Sequence, residues 1–290
     1  MSIITDKFNF GDSLDKESFI IKKMKNSYIG DDGAVVGEWV YSKDLFIENT
    51  HFKKQWMSYR QIAEKAMLVN ISDAISMNAK PKYALIGVVL PPNITKKEIE
   101  VFVYSLKKIA KKYGVKIIGG DTTSGKKIAV SITIISKKRK YTLRRKGLKK
   151  GDFLAFTGDI GNSKRDLEKL LLGRKIDKNS KFYKPILRDK FIKKATKYLS
   201  CGLDISDGLS KDLSRLCDKN SLGVEFLKKL SQNEFCSGEE YEMLFGFSKK
   251  NREKILKIAK KTDTKITIFA KAKKGRYKCI CKEHHFKGKK

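Results

Sequence analysis

Several things are scarce in this 290-residue chain, and each shortage narrows what it can be. No apolar run approaches the ~20 residues that span a bilayer, so no membrane-crossing helix is expected. The opening segment MSIITDKFNFGDSLDK has no basic stretch followed by an apolar one. No secretory signal is therefore expected, and the cytoplasm is the expected compartment. Cysteine is absent before Cys201, and the five present (Cys201, Cys217, Cys236, Cys279, Cys281) are odd in number and irregularly spaced. That argues against a disulfide framework and predicts reduced thiols. The Cys279-Ile-Cys281 pair beside His284-His285 is tighter than zinc spacing, and no second ligand pair is near. Histidine is limited to His51, His284 and His285, and no nucleophile–base pair stands out.

Acidic residues are also few, 32 against 65 basic ones, which leaves a formal charge of +33. Such a charge raises nucleic-acid binding as a possibility. The lysines are spread along the whole chain rather than gathered in one arm, and lysine far outnumbers arginine. Recognition surfaces favour arginine with interleaved aromatics. The charge is read as a lysine-rich solvated surface, which would also attract nucleotides and phosphorylated substrates, and a nucleic-acid partner is not expected.

Hydrophobic residues make up 40% of the chain, enough for a core. Residues 34–47 read as strand, turn, strand. Between Tyr59 and Met77, Ile62, Ala66, Val69, Ala74 and Ile75 suit an amphipathic helix. Tyr83 to Leu90 is a buried strand stopped by Pro91-Pro92, and Thr95 with Glu98 caps the next helix. Val115 to Ile118 is a short strand ending in Gly119-Gly120, and Ile128 to Ile135 is another. The charged stretch Lys137 to Lys150 is a candidate domain boundary. Beyond it come strands at Phe153–Thr157, Tyr241–Phe247 and Lys265–Ala270, with helices near 163–172, 186–199, 207–219 and 249–260. The two halves look broadly alike.

Aspartates recur in loops beside glycine, serine or threonine: Gly30-Asp31-Asp32-Gly33, Ser42-Lys-Asp44, Asn70-Ile-Ser72-Asp73, Gly119-Gly120-Asp121-Thr122-Thr123 and Asp204-Ile-Ser206-Asp207-Gly208. Any one is ordinary turn chemistry. Five together, in a chain so poor in acid, point to a metal-binding site. Carboxylates supply hard oxygen ligands to Mg²⁺, glycine lets backbone approach phosphate, and nearby hydroxyl and amide groups bind its oxygens. A phosphate-loop reading of Gly120 to Lys127 fails: Lys127 stands where a Mg²⁺-binding hydroxyl belongs, and the next segment alternates like a strand rather than opening a helix.

Taken in order, these segments, with His51-Phe52 downstream of Asp44 and Gly238-Glu239-Glu240-Tyr241-Glu242 near the end, resemble the thiamine-monophosphate kinases of the aminoimidazole-ribonucleotide-synthetase superfamily. The resemblance covers nearly the whole chain. It implies an α/β (α+β) fold of two mixed α/β domains. Residues 1–137 would bind ATP and Mg²⁺ and form a homodimer through the sheet and helices. Residues 138–290 would be a similar domain completing the nucleotide and substrate site. It implies ATP-dependent conversion of thiamine monophosphate to thiamine diphosphate, by direct in-line transfer with several Mg²⁺ ions. Carried over by motif, Asp31, Ser42, Asp44, Asp73, Asp121, Asp204 and Asp207 would bind Mg²⁺. Gly120, Asp121, Arg145 and Ser206 would contact ATP, and His51, Glu239 and Phe286 the substrate. No covalent nucleophile or general base is implied.

The chain departs from the family pattern in three places. Glu240 stands where aspartate is usual, Lys43 where a hydroxyl is common, and Glu283 where an aromatic residue often stacks. Sister enzymes fit less well. Selenophosphate synthesis would want an early cysteine, and a ribonucleotide synthetase would not predict His51 after Asp44. From a different class, a nucleic-acid-binding module rests on charge alone.

Overall fold

The computed structural model describes residues 16–24 and 26–281. Phe286, with His284 and His285, lies outside the described residues. The first half runs α1 (Lys16–Met24), β1 (Ala34–Val36), β2 (Trp39–Ile47), α2 (Tyr59–Ser76), β3 (Lys80–Leu90), α3 (Lys96–Lys112), β4 (Lys116–Ser124) and β5 (Ala129–Lys137). The second runs β6 (Phe153–Thr157), α4 (Asn162–Leu171), α5 (Asp189–Ala195), β7 (Cys201–Asp204), α6 (Leu209–Asn220), β8 (Gly223–Phe226), α7 (Gln232–Cys236), β9 (Met243–Phe247), α8 (Arg252–Lys261) and β10 (Ile266–Lys273). The fold is mixed α/β with one five-stranded sheet per half.

The first sheet has the order β1-β2-β5-β3-β4. Only β3 and β4 are parallel, joined by the α3 crossover. The second sheet, β7-β9-β6-β10-β8, is antiparallel throughout. Helix starts follow their sequence cues. Ser58 with Gln61, Thr95 with Glu98 and Ser231 with Glu234 form complete capping boxes. Each satisfies two amide donors that would otherwise be orphaned, and a cap of this kind contributes about 1 kcal/mol.

Alternation along β2 and β5 sends Phe46, Val130, Ile132 and Ile134 into a core shared with α2 and α3, while Val40 packs with Met77 and Ala79 in a small separate cluster. That core continues into the second half through Phe182, Phe191, Phe245 and Phe247. A second cluster, built on Leu154, Phe156, Leu203, Leu244 and Phe269, lies on the other face of the second sheet, under α6 and α7. The second sheet is thus covered on both faces. The outward side of the first sheet carries Tyr41, Leu45 and Leu85, all exposed.

Three expectations change. α2 is not a half-exposed amphipathic helix. Fifteen of its eighteen residues are buried, because it packs against β2 and β5 on one side and β7 on the other. β4 does not end at Gly119-Gly120 but runs on to Ser124 in parallel register with β3. Glycine is needed there: Gly120 has φ +151°, and a Cβ would stand 1.8 Å from the Ile86 carbonyl oxygen. The thiols are not all reduced either. Cys236 and Cys281 form a disulfide between the end of α7 and the last described residue, while Cys201, Cys217 and Cys279 are free. Among the described residues no helix is long and apolar enough to cross a membrane.

Candidate active site

α2 organises the site because it lies between the two halves. Ser72, Asp73 and Ser76 stand seven, eight and eleven residues after Lys65, which places them along one side of the helix. The Ser72 hydroxyl donates to Asp204 Oδ2 at 2.5 Å, reaching the end of β7. The single Ser76 hydroxyl proton is shared between the Asp73 carbonyl (2.7 Å) and Asp32. Asn70, fully buried, donates to the Ala66 carbonyl (2.8 Å) and accepts the Asp44 amide (2.8 Å), which locks β2 against the helix. Ser42 is buried beside it, its hydroxyl 3.5 Å from the Asn70 carbonyl.

Asp32 is the hub of the network. Its Oδ1 accepts from Arg145 Nε (2.9 Å) and Nη2 (2.6 Å), and its Oδ2 accepts the Asp204 amide at 3.3 Å. The neighbouring Asp31 accepts the Arg145 backbone amide at 2.8 Å, with Arg144 Nη1 at 3.3 Å. The loop bearing Arg145 is pinned in turn by Asn220 at the end of α6. That side chain accepts the Gly147 and Leu148 amides and donates to the Arg145 carbonyl. Neither Asp32 nor Asn220 was assigned a role from sequence. Asp32 sat in the right motif. Asn220, at a helix end, gave no signal.

The loop after β7 adds Ser206 and Asp207. Asp207 Oδ2 lies 2.5 Å from Arg215 Nη1, and the Asp207 amide donates to Asp212, a buried carboxylate that the sequence did not flag. The Ser206 carbonyl accepts the Glu239 amide at 2.6 Å. Gly238 packs so closely that a Cβ would sit 3.1 Å from that same oxygen. Glu239 (φ +56°) and Tyr241 (φ +51°) both adopt the left-handed conformation that non-glycine residues rarely take. Glu239 Oε2 is 2.5 Å from Lys65 Nζ. The two acids after it do structural work. Glu240 accepts from the Gly161 and Ser163 amides and the Ser237 hydroxyl. Glu242 is bound by Arg188, Lys181 and the Thr157 hydroxyl, and against the effect of burial Arg188 and Lys181 hold its carboxyl below the usual range.

Charge in this cluster is under-compensated. Burial, reinforced by Asp32, Asp207 and Glu239, pushes Asp44 up to about 6. Burial, then Asp44, Asp204 and Asp32, drives Asp73 well above the carboxylate range, with Arg145 opposing. Asp204 rises for the same reasons despite its bond from Ser72. Burial lifts Asp212 to about 7, with Arg215 opposing. The Tyr241 phenol is also pushed up, by burial first and then by Glu239, Asp44, Asp204 and Asp73 around it.

His51 lies at the edge of this region. Its Nδ1 accepts the Ile47 amide at 3.0 Å, which makes Nε2 the proton-bearing nitrogen of the neutral ring. Its ring sits 5.7 Å from Phe46. The structure therefore brings Asp31, Ser42, Asp44, Asp73, Asp204, Asp207, Arg145, Ser206 and Glu239 to one region between the halves. It does not bring Gly120 or Asp121 there within one chain. Both lie on the exposed edge strand β4, and Asp121 is in register with Gly87, three strands from Asp44. Among the described residues, the Asp121 carboxylate accepts only the adjacent Thr122 amide, at 2.9 Å.

The donor set suits Mg²⁺. Buried carboxylates whose protons are held by mutual repulsion are relieved by a divalent cation. Among the described residues no three ligand-type groups are already gathered into a cage. That accords with an ion commonly held by one or two carboxylates, waters and substrate phosphates.

Residues 30–137 match the family described as AIR synthase related protein, N-terminal domain. The thiamine-monophosphate kinase of Buchnera aphidicola subsp. Schizaphis graminum is 31% identical over 278 residues, 85% of this chain and 85% of the relative. That of Buchnera aphidicola subsp. Acyrthosiphon pisum is 32% identical over 273 residues, 80% of each. Among solved structures, AaThiL complexed with AMPPCP and TMP shares the fold with a TM-score of 0.80 at 24% identity, over 93% of this chain and 95% of that one. By its identity to these relatives over most of their length, the chain belongs to the thiamine-monophosphate kinase family.

Proposed function

We propose that this protein transfers the γ-phosphoryl group of ATP to thiamine monophosphate, giving thiamine diphosphate and ADP. The observation that carries the reading is the cluster of Asp32, Asp44, Asp73 and Asp204, drawn from both halves onto one helix and short of positive charge. A phosphate monoester has a second pKa of about 6, so the acceptor oxygen is largely anionic at neutral pH and needs no strong base. The obstacle is repulsion between two anions, and the chemistry reduces to charge neutralisation and alignment. Asp31, Asp44, Asp73, Asp204 and Asp207, with Ser42, would hold several Mg²⁺ ions, which when bound neutralise the phosphates. Arg145, now paired with Asp32, would contact the nucleotide. Ser206 and the Gly238 loop shape the phosphate side. His51 and Glu239 bound the acceptor side, and Phe286 belongs to that side by family resemblance. In-line transfer would require the acceptor oxygen, the γ-phosphorus and the leaving oxygen to be held in one line between these two sides.

The reading also includes a homodimer. The outward side of the first sheet presents Tyr41, Leu45 and Leu85 to solvent, and β4 is an exposed edge. A bare apolar sheet face and an unpaired edge both call for a partner. We assign that face to a second copy of the chain and, through it, Gly120 and Asp121 to the nucleotide. Residues 1–137 would then carry most of the metal ligands and the dimer face. Residues 138–290 would complete the nucleotide and substrate site, in a cytoplasmic enzyme. The test is a Mg·ATP assay with thiamine monophosphate, thiamine and aminoimidazole precursors side by side. Turnover of the monophosphate alone supports the reading, and preferential turnover of another acceptor removes it.

A further inference from the structure

Lys65 is an anomaly that the proposed chemistry does not use. It lies on α2 with no exposed surface. Its ammonium stands 4.3 Å from the centre of the Phe182 ring and 5.6 Å from that of Phe46. Its ion-pair partner is Glu239, 2.5 Å away and contributed by the other half of the chain. Burying a lysine costs several kcal/mol before pairing, and a well-packed apolar side chain of similar volume commonly serves stability as well or better. A buried pair is therefore a poor device for stability alone and an effective one for aiming a carboxylate.

Glu239 is built to be aimed. Its backbone is held in the left-handed conformation, and its amide and carbonyl are fixed by the Ser206 carbonyl and the Ser163 hydroxyl. Lys65 takes one carboxylate oxygen from inside, while the side chain keeps 23% of its surface exposed. Its charge reaches Asp44 and Tyr241. The Phe46 ring that Lys65 faces also touches His51, so Lys65 lies behind both acceptor-side residues.

We propose that Lys65 is the positioning residue of the acceptor side: by holding Oε2 of Glu239 it turns the other oxygen toward thiamine monophosphate and sets affinity for that substrate without acting on ATP. The proposal rests on the thiamine-monophosphate reading of the site. Its test is the set K65M, E239Q and K65M/E239Q, with KM measured separately for each substrate and thiamine monophosphate binding followed by calorimetry without ATP. K65M is expected to raise the KM and Kd for thiamine monophosphate by roughly tenfold or more. The KM for ATP should stay within about twofold; the melting temperature should fall in K65M, which leaves the Glu239 carboxylate unpaired, and recover in K65M/E239Q, which removes both charges. The double variant should be no worse than E239Q, because residues acting as one unit are not additive. Unchanged affinity for thiamine monophosphate in K65M, equal losses for both substrates, or full additivity would each overturn the proposal. Should K65M fail to fold, E239D, which keeps the charge but withdraws the carboxylate, carries the test: an unaltered KM for thiamine monophosphate then overturns it. A wild-type chain that neither binds nor phosphorylates thiamine monophosphate would instead remove the functional reading itself.

Discussion

Replacing Asp44 by Asn should stabilise the metal-free protein at neutral pH while destroying its activity. Asp44 has its pKa raised from 3.8 to about 6, chiefly by burial and then by Asp32, Asp207 and Glu239. A shift of about two units, at about 1.4 kcal/mol each, amounts to about 3 kcal/mol of destabilisation from the ionised carboxylate. The sign follows from proton uptake. Between pH 3.8 and about 6 the folded chain holds this proton more tightly than the unfolded chain does. Stability therefore rises as pH falls through that window, and the full penalty stands above it. In EDTA at about pH 7.5, Asp44→Asn should melt roughly 5–10 °C higher than the wild type, and the gap should close near pH 4. Saturating Mg²⁺ should raise the wild type more than the variant, which keeps the other carboxylates but lacks this one. Fluorimetric melting curves across pH, with and without chelator, measure all three. Equal melting temperatures in EDTA at neutral pH, or a gap that persists in acid, would refute the electrostatic account of the cluster.

Three further predictions follow from particular contacts. Asp32→Asn should lower kcat by at least about 10²-fold, because it removes the charge facing Arg145 and turns one of the two oxygens shared by Arg145, Ser76 and the Asp204 amide into a donor; near-normal turnover would contradict its place as hub. Cys236→Ser should cost about 4 kcal/mol on the chain-entropy scale for a bridge across 45 residues, read as a lower denaturation midpoint that matches the wild type under reductant. Coincident midpoints with and without reductant would mean that the bond contributes nothing. Leu85→Glu should yield monomers in light scattering by charging the outward sheet face, and an intact dimer would place the interface elsewhere.

Much of this arrangement is legible in the residues, for local reasons. Capping boxes at Thr95 and Ser58, the alternation of β5 and the Gly-Asp turns all act over a few positions, and so do their cues. What sequence reading missed depends on distant partners. Lys65 looks like any helix-face lysine until Glu239, 174 residues away, meets it in the interior. Asp212 reads as an ordinary first-turn acid, and its burial comes from α6 packing across the second sheet. α2 reads as amphipathic because Ile62, Ala66, Val69, Ala74 and Ile75 suit one apolar face, yet its serines and Asn70 are also buried, each bonded to the other half or to the backbone. Gly119-Gly120 signalled a turn, whereas their role is to let β4 pass close to β3. Asp121 shared the motif style of the other aspartates but lies on the far edge of the sheet, a matter of strand order that no local pattern states.

The central claim is tested most directly by following ATP and thiamine monophosphate with the purified chain by phosphorus NMR in the presence of Mg²⁺. The account predicts thiamine diphosphate and ADP appearing in equal amounts, and neither when Asp73 is replaced by Asn. Intact ATP, or ADP formed with free phosphate while thiamine monophosphate remains unchanged, would contradict it.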